Sequence, residues 1–304
     1  MDSWRCKLYY SAFFRSINTV MCLLRIKDLK VNFKDQTVLD FRGHDIEIKS
    51  GDKVALIGKN GAGKSTLLNC LLHEVKYTGC IKEKYHQSDI GVVFQENVYF
   101  KFLKVYEIFE LVWNKPKKLI LKSKFIKNFN LASIMNKYIS DLSGGEKQRL
   151  TIALVFSQNK KIYLLDEINS GLDYDNRHEL SKIINNITEE KTVIQISHYF
   201  EEVENWANKL IILDRGKMIY FGSLSKFYSI NKHDSLIIIN DKKSLSRLTQ
   251  KPLNLYSNKY IVSSSIDERH DITNLLEQQK IDYKVVPQNL YTTYKLALVK
   301  HEDR

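Results

Sequence analysis

Lys64, Ser65, Asp166 and Glu167 are the residues of this chain whose types and spacing suit phosphoanhydride chemistry. Lys64 and Ser65 belong to the stretch Gly58, Lys59, Asn60, Gly61, Ala62, Gly63, Lys64, Ser65, Thr66, which fits the pattern GxxxxGK[ST]. It sits between the apolar runs KVALI and LLNCLL, so a strand, a glycine loop and a helix follow one another. Backbone N–H groups of such a loop and of the helix start cradle a polyphosphate. Gly58, Gly61 and Gly63 let the backbone curl and approach phosphate oxygens with no Cβ in the way. Lys64 would reach the β- and γ-phosphates, and the Ser65 hydroxyl would hold Mg2+. A ligand-free glycine turn is the simpler alternative, but the full pattern in this context points to a bound nucleoside triphosphate.

The acids arrive on a second apolar strand, KIYLLDE at 161–167. A buried strand delivers its C-terminal residues to the crevice where α/β sheets bind ligands. Asp166 is then placed to hold Mg2+ through water, and Glu167 to orient or deprotonate the attacking water. Acids at a strand end are often only solubilising; a phosphate loop upstream favours the chemical reading.

Between these elements lies LSGGEKQ, that is Leu142, Ser143, Gly144, Gly145, Glu146, Lys147 and Gln148. Ser143, Gly144 and Gly145 read as a turn capping a helix that starts near Glu146, a second place for an anion. This stretch matches the signature motif of the ATP-binding cassette (ABC) ATPases, which the chain resembles over residues 23 to about 223. The order is also similar: phosphate loop, Gln95, signature, Asp166–Glu167 strand, then Ser170, Gly171, Leu172 and Asp173, and His198 after the strand TVIQIS.

The resemblance implies further roles. Gln95 would touch Mg2+ and sense the γ-phosphate, Asp173 would cross to a partner subunit, and His198 would contact the γ-phosphate and steady Glu167. Phe33 stands where the family commonly places a tyrosine that stacks on adenine; core packing is the competing reading. Ile168 follows Glu167 where many relatives carry proline, which alters loop stiffness and removes no catalytic group. ATP and Mg2+ are the implied cofactors. The implied partners are a separate transmembrane permease subunit and a second nucleotide-binding subunit, in the simplest case a second copy of this chain. The signature of one copy would act in trans on the phosphate loop of the other.

The positioning elements follow from periodicity. Strands are expected near 24–32, 44–49, 53–57, 90–95, 161–166, 192–197, 209–214 and 217–221, with helices at 64–73, 146–157, 175–187 and 200–207. Their alternation predicts an α/β fold, the P-loop nucleoside triphosphatase of ABC type, with a helical subdomain at about 96–157. From about 230 the pattern changes. LIIIND, KYIVSSS and YKVVP read as strands, with ITNLLEQQK and NLYTTYKLAL as helices, forming a small C-terminal α+β domain over 230–304. This last unit is similar to extensions in drug, peptide and bacteriocin export systems. The expected division is thus 1–22 as an N-terminal extension, 23–229 as the nucleotide-binding domain and 230–304 as the accessory domain. Residues 1–22 read as a miscalled start, with translation from Met21, or as a tail; a short amphipathic contact is the alternative.

Composition narrows the class. An apolar content of 43% suits a globular core, and no run approaches the roughly eighteen apolar residues that span a bilayer. The expectation is a cytoplasmic protein, peripheral on the inner face of the membrane through its permease. The four cysteines show no CxxC spacing and read as reduced. The net charge of +12 comes from lysines spread along the chain, densest at 114–129, and reads first as a solvated helical face, then as attraction to anionic headgroups. No nucleic-acid partner is expected. A non-transport ABC ATPase acting on nucleic acid or ribosomes is the alternative. The interval from Gln95 to Leu142 is too short for coiled-coil arms, and there is one cassette, not two. A non-hydrolysing regulator would not need Glu167 and His198. The reading is therefore an ATP-hydrolysing subunit that powers a membrane exporter of a drug, peptide or lipid-like substrate.

Overall fold

The computed structural model describes residues 22–34, 36–94, 101–169, 172–239, 253–255 and 258–302. Its large sheet has ten strands. Five form the parallel centre: β4 (Lys53–Gly58), β6 (Ile90–Val93), β7 (Ile162–Asp166), β8 (Thr192–Ile196) and β9 (Lys209–Asp214), in the order β9-β4-β8-β7-β6. These are the near-continuous apolar runs of the sequence, and β7 and β8 are buried at every position. That is the signature of strands covered on both faces. All five end on the same side, so their C-terminal residues share one edge.

An antiparallel flank completes the sheet. β1 (Cys22–Phe33) pairs with β2 (Gln36–Asp40), β3 (Asp45–Lys49) and β5 (Thr78–Glu83), and β10 (Lys217–Ser223) joins β2 to β9. β2 and β5 were not expected from the sequence. Both are short and only partly buried, so their alternation is faint. Cys80 on β5 also corrects the expectation of reduced cysteines. Cys22 and Cys70 are free, whereas Cys80 is disulfide-bonded. Disulfide formation depends on Cα separation in space, which sequence spacing does not report.

Helices cover both faces. α1 (Lys64–Leu71) follows the glycine loop, and α2 (Val105–Trp113), α3 (Lys117–Leu121), α4 (Lys124–Asn128) and α5 (Gly144–Ser157) fill the expected helical region. Phe109, Phe129, Met135 and Leu150 pack there with Tyr163 and Leu165 of β7. α6 (Tyr174–Ile187), α7 (Phe200–Trp206) and α8 (Leu224–Ile230) complete this part.

The C-terminal region forms a second, antiparallel sheet in the order β12-β13-β11-β14, with β11 (Ser235–Ile239), β12 (Leu253–Leu255), β13 (Asn258–Ser263) and β14 (Tyr283–Pro287). β12 is an addition to the three strands expected. α9 (Ile266–Gln278) covers one face through Ile272 and Leu276, packed on Ile237 and Ile239. α10 (Leu290–Glu302) lies on the other face and also reaches the large sheet. Leu290, Tyr294 and Leu298 share one core with Leu236, with Ala55 and Ile57 of β4 and with Leu210 and Ile212 of β9. Glu204 of α7 adds a polar tie. Its Oε1 accepts from the Leu290 N–H at 2.6 Å and from the Tyr228 hydroxyl. The C-terminal region is thus built onto the cassette. Leu290→Ala should cost about 2–5 kcal/mol in denaturant unfolding of the whole chain, as expected for a fully buried leucine; an unchanged midpoint would contradict the shared core.

Candidate functional site

The phosphate loop is a consequence of where β4 stops. Gly58 ends the strand so close to β9 that an added Cβ would lie 2.5 Å from the Leu213 carbonyl oxygen. Gly63 is left-handed, φ +95, and caps α1, and a Cβ there would meet Leu39 at 2.4 Å. No other residue type fits either requirement. Lys64 opens α1 and is buried. Its Nζ donates to the Gly58 carbonyl at 2.8 Å and the Lys59 carbonyl at 3.0 Å, folding the side chain over its own loop. Burial pushes the Lys64 pKa down, and the charges of Glu167 and Asp166 oppose that shift.

Beside it, the Ser65 hydroxyl donates to Asp166 Oδ2 at 3.1 Å. Burial raises the Asp166 pKa above the usual carboxylate range, while this hydrogen bond acts to lower it. A buried carboxylate and a hydroxyl at this spacing fit Mg2+, a hard cation that takes one or two protein oxygens and completes its shell with phosphates and water. No cluster of three or more metal-ligating side chains occurs among the described residues, so an all-protein cage is not what this site offers. Mg2+ held by Ser65 and Asp166 would neutralise developing charge on the terminal phosphates.

Glu167 has φ +48, a conformation uncommon outside glycine, and its N–H points to the Ile196 carbonyl of β8 at 3.3 Å. The backbone turns here, and the carboxylate meets His198, Nε2 to Oε1 at 2.7 Å. The two strand ends β7 and β8 thus bring together the residues expected to act on water. Asn60, Gly61, Gly63, Lys64, Glu167 and His198 line one cleft of about 510 Å3, with Ser65, Thr66 and Val38.

The signature lies elsewhere. Ser143 caps α5, its Oγ accepting from Glu146 N–H at 3.2 Å while Glu146 accepts from Ser143 N–H at 2.8 Å. The helix therefore starts at Gly144, two residues earlier than expected, because the capping box closes there. No residue of 142–148 lines the cleft. Gln148 reaches the backbone after Glu167 instead, donating to the Ile168 carbonyl at 3.1 Å. Asp173 caps α6 by accepting from Asn176 N–H at 2.9 Å, and Leu172 packs against the helical cluster.

Phe33 is 49% exposed at the end of β1, so the core reading fails, and it is not among the cleft-lining residues. Val38 of β2 lines the cleft, a position the sequence reading missed together with its strand. Gln95, Ser170 and Gly171 lie outside the described residues.

A protein-family profile described as ABC transporter matches residues 41–170. The chain is 30% identical over 276 residues to the methionine import ATP-binding protein MetN of Helicobacter acinonychis, covering 82% of each chain. It is also 30% identical over 226 residues to the glutamine transport ATP-binding protein GlnQ of Escherichia coli, covering 66% of this chain and 91% of that one. The chain belongs to the ABC transporter family. It is an ATP-binding, ATP-hydrolysing cassette of the transport-coupled type. A solved ATP-binding subunit of an ABC transporter has the same fold, with a TM-score of 0.60 at 23% identity over 68% of this chain and 92% of that one. MetN is an importer by name, so the export branch expected from the sequence finds no support in these relatives.

Asp166→Asn removes the charge from the cassette's metal-side carboxylate and keeps its shape. Titration of a fluorescent ATP analogue with Mg2+ or with chelator checks its role. In the variant, affinity in Mg2+ should drop about tenfold, the weight of one charge-assisted contact. A Mg2+ dependence equal to wild type would exclude Asp166 from that role.

Proposed function

We propose that this cassette powers a membrane transporter by closing on ATP as a dimer, hydrolysing it through Glu167 and His198, and reopening. The observation that carries this reading is the 2.7 Å Glu167–His198 contact on the wall of the cleft that holds Lys64 and Ser65. Glu167 is placed to orient or deprotonate the attacking water, and His198 holds that carboxylate from the opposite strand end. Gln95 would complete the set beside the γ-phosphate. The backbone of Lys59 to Gly63 and the start of α1 would bind the phosphates, with Lys64 turning from its loop carbonyls to the β- and γ-oxygens.

The signature turn does not line its own cleft, which supports a composite site. Ser143 and Gly145 of a second copy would face the ATP held by the first, with Asp173 and its loop crossing between the copies. Phe33 is free to stack on the base from the exposed end of β1, beside Val38. ATP would then bind the closed pair better than ADP does, and that difference would drive the cycle.

A separate permease would supply the membrane passage; no helix among the described residues is long and apolar enough to cross a membrane. Phe102, Leu111 and Leu119 are exposed on the α2–α3 side and form the apolar surface we assign to it. Import is the direction we adopt. The methionine import ATP-binding protein of Helicobacter acinonychis aligns over 82% of this chain, and that breadth supports the choice. The protein would then work from the cytoplasmic face, held there by the permease.

Glu167→Gln tests the chemistry. ATP binding should persist while turnover falls by about 10²–10⁴, the usual weight of a general base, and the ATP-bound dimer should accumulate. Size-exclusion chromatography with ATP and a phosphate-release assay read both; near wild-type hydrolysis would sink the assignment.

A further inference from the structure

The Glu167–His198 contact joins the side chains of two loops whose backbones meet where the Glu167 N–H faces the Ile196 carbonyl. His198 follows β8 by two residues and precedes α7, a helix of only seven residues. Tyr199 occupies the N-cap of α7, where Ser, Asp or Asn would normally bond the helix start, and it makes no side-chain cap bond. Its backbone N–H donates to Ser197 Oγ at 3.1 Å, a bond inside its own loop. A cavity of about 50 Å3 lies beside this loop, lined by Glu167, Asn169, Ser197, His198 and Tyr199 among others. Nothing in that arrangement alone would hold an imidazole within 2.7 Å of a carboxylate.

The restraint comes from the other side. Arg177 on α6 stacks on the Tyr199 ring, Cζ 4.1 Å from its centroid. Arg177 Nε also lies 3.9 Å from Glu202 Oε1 on α7. The second Glu202 oxygen accepts from Asn169 Nδ2 at 2.5 Å. Asn169 is 3% exposed and stands two residues after Glu167. So the side chains tie the two loops together twice, beside the backbone bond from the Glu167 N–H to the Ile196 carbonyl. The first tie is Glu167 to His198; the second runs Asn169–Glu202–Arg177–Tyr199, and closes a ring through the backbone at both ends.

We infer that Arg177, Tyr199 and Glu202 are positioning residues that brace His198 against Glu167, so that the hydrolytic pair is held ready before ATP arrives. The brace works sideways. The guanidinium covers the apolar ring and faces a carboxylate, an arrangement strengthened by the partial burial of both charges, with side chains 17% and 23% exposed. The Tyr199 hydroxyl makes no hydrogen bond among the described residues, so the ring face is the part that matters. Loss of the brace frees the α7 start to move by the ångström that separates a good hydrogen bond from none.

The inference rests on Glu167 and His198 being the hydrolytic pair, and steady-state ATPase measurements on the full chain separate the two ideas. Tyr199→Ala and Arg177→Ala should each lower kcat about tenfold to a hundredfold, the effect of a small misplacement, with KM for MgATP held within about twofold. Tyr199→Phe, which keeps the ring, should restore wild-type kcat, and Arg177→Lys should recover part of it. A wild-type kcat in Tyr199→Ala overturns the brace, as does equal damage in Tyr199→Phe or a loss expressed in KM alone. If Tyr199→Ala melts below the assay temperature, Glu202→Gln replaces it. That variant keeps the bond to Asn169 and removes the charge facing Arg177, so reduced kcat at constant KM supports the brace and wild-type kcat rejects it. Glu167→Gln serves as the control. Should it hydrolyse ATP at the wild-type rate, the hydrolytic pair itself is misassigned and the brace falls with it; should it be inactive, the Tyr199 result speaks for the brace alone.

Discussion

Everything at the site depends on keeping the Lys64 ammonium buried and satisfied. A charged amine removed from water costs several kcal/mol unless its protons find partners. Here the partners are the Gly58 and Lys59 carbonyls, which the loop can present only because Gly58 abuts β9 and Gly63 is left-handed. The same burial that lowers the Lys64 pKa raises that of Asp166, so two opposite charges are held in one poorly solvated crevice. Inside the protein the lysine is held by loop carbonyls and the aspartate by the Ser65 hydroxyl. Polyphosphate oxygens for the lysine and a cation for the aspartate would relieve both at once. A ligand that carries anion and cation together would suit such a crevice.

That constraint reaches outward through the sheet. Parallel strands must end on one edge for β4, β7 and β8 to deliver Lys64, Asp166, Glu167 and His198 to the same cleft. The left-handed backbone at Glu167 turns the carboxylate toward β8, and the contact with His198 follows. On the opposite face of β4, Ala55 and Ile57 pack against α10, so the strand that ends in the phosphate loop is also the floor of the C-terminal region. α7 sits between the two. It begins just after His198, and it holds the α10 start through Glu204. Strain or movement in the C-terminal region thus has a direct physical route to the loop that carries the histidine.

The parts legible in the sequence are those with local causes. Glycines whose backbone geometry admits no Cβ, a serine and glutamate three apart, and apolar strands ending in acids each announce themselves within a few residues. The fold class and the residues around the cleft followed from them. What escaped has causes distant in sequence. Val38 enters the cleft because β2 pairs with β1 and β10, and a five-residue half-exposed strand carries little periodic signal. Arg177 and Tyr199 meet only because α6 and α7 pack side by side. α10 reads in sequence as the last helix of a separate domain, but its buried residues serve two sheets, which only the tertiary arrangement reveals. The expected export direction rested on pattern similarity in a region without sharp motifs, and the methionine import relative gives it no support.

Mixing two damaged chains tests whether one active site is assembled from two chains. Lys64→Ala removes the phosphate-loop cation, and Ser143→Arg blocks the signature turn, so either variant alone has two broken sites. In their heterodimer one interface combines both defects while the other pairs a sound phosphate loop with a sound signature. With a composite site, ATP hydrolysis, absent in each parent assembled with its permease, should return in the mixture. A mixture that stays inactive while heterodimers are demonstrably present would contradict it, as would a dilute monomer that hydrolyses ATP at the full rate.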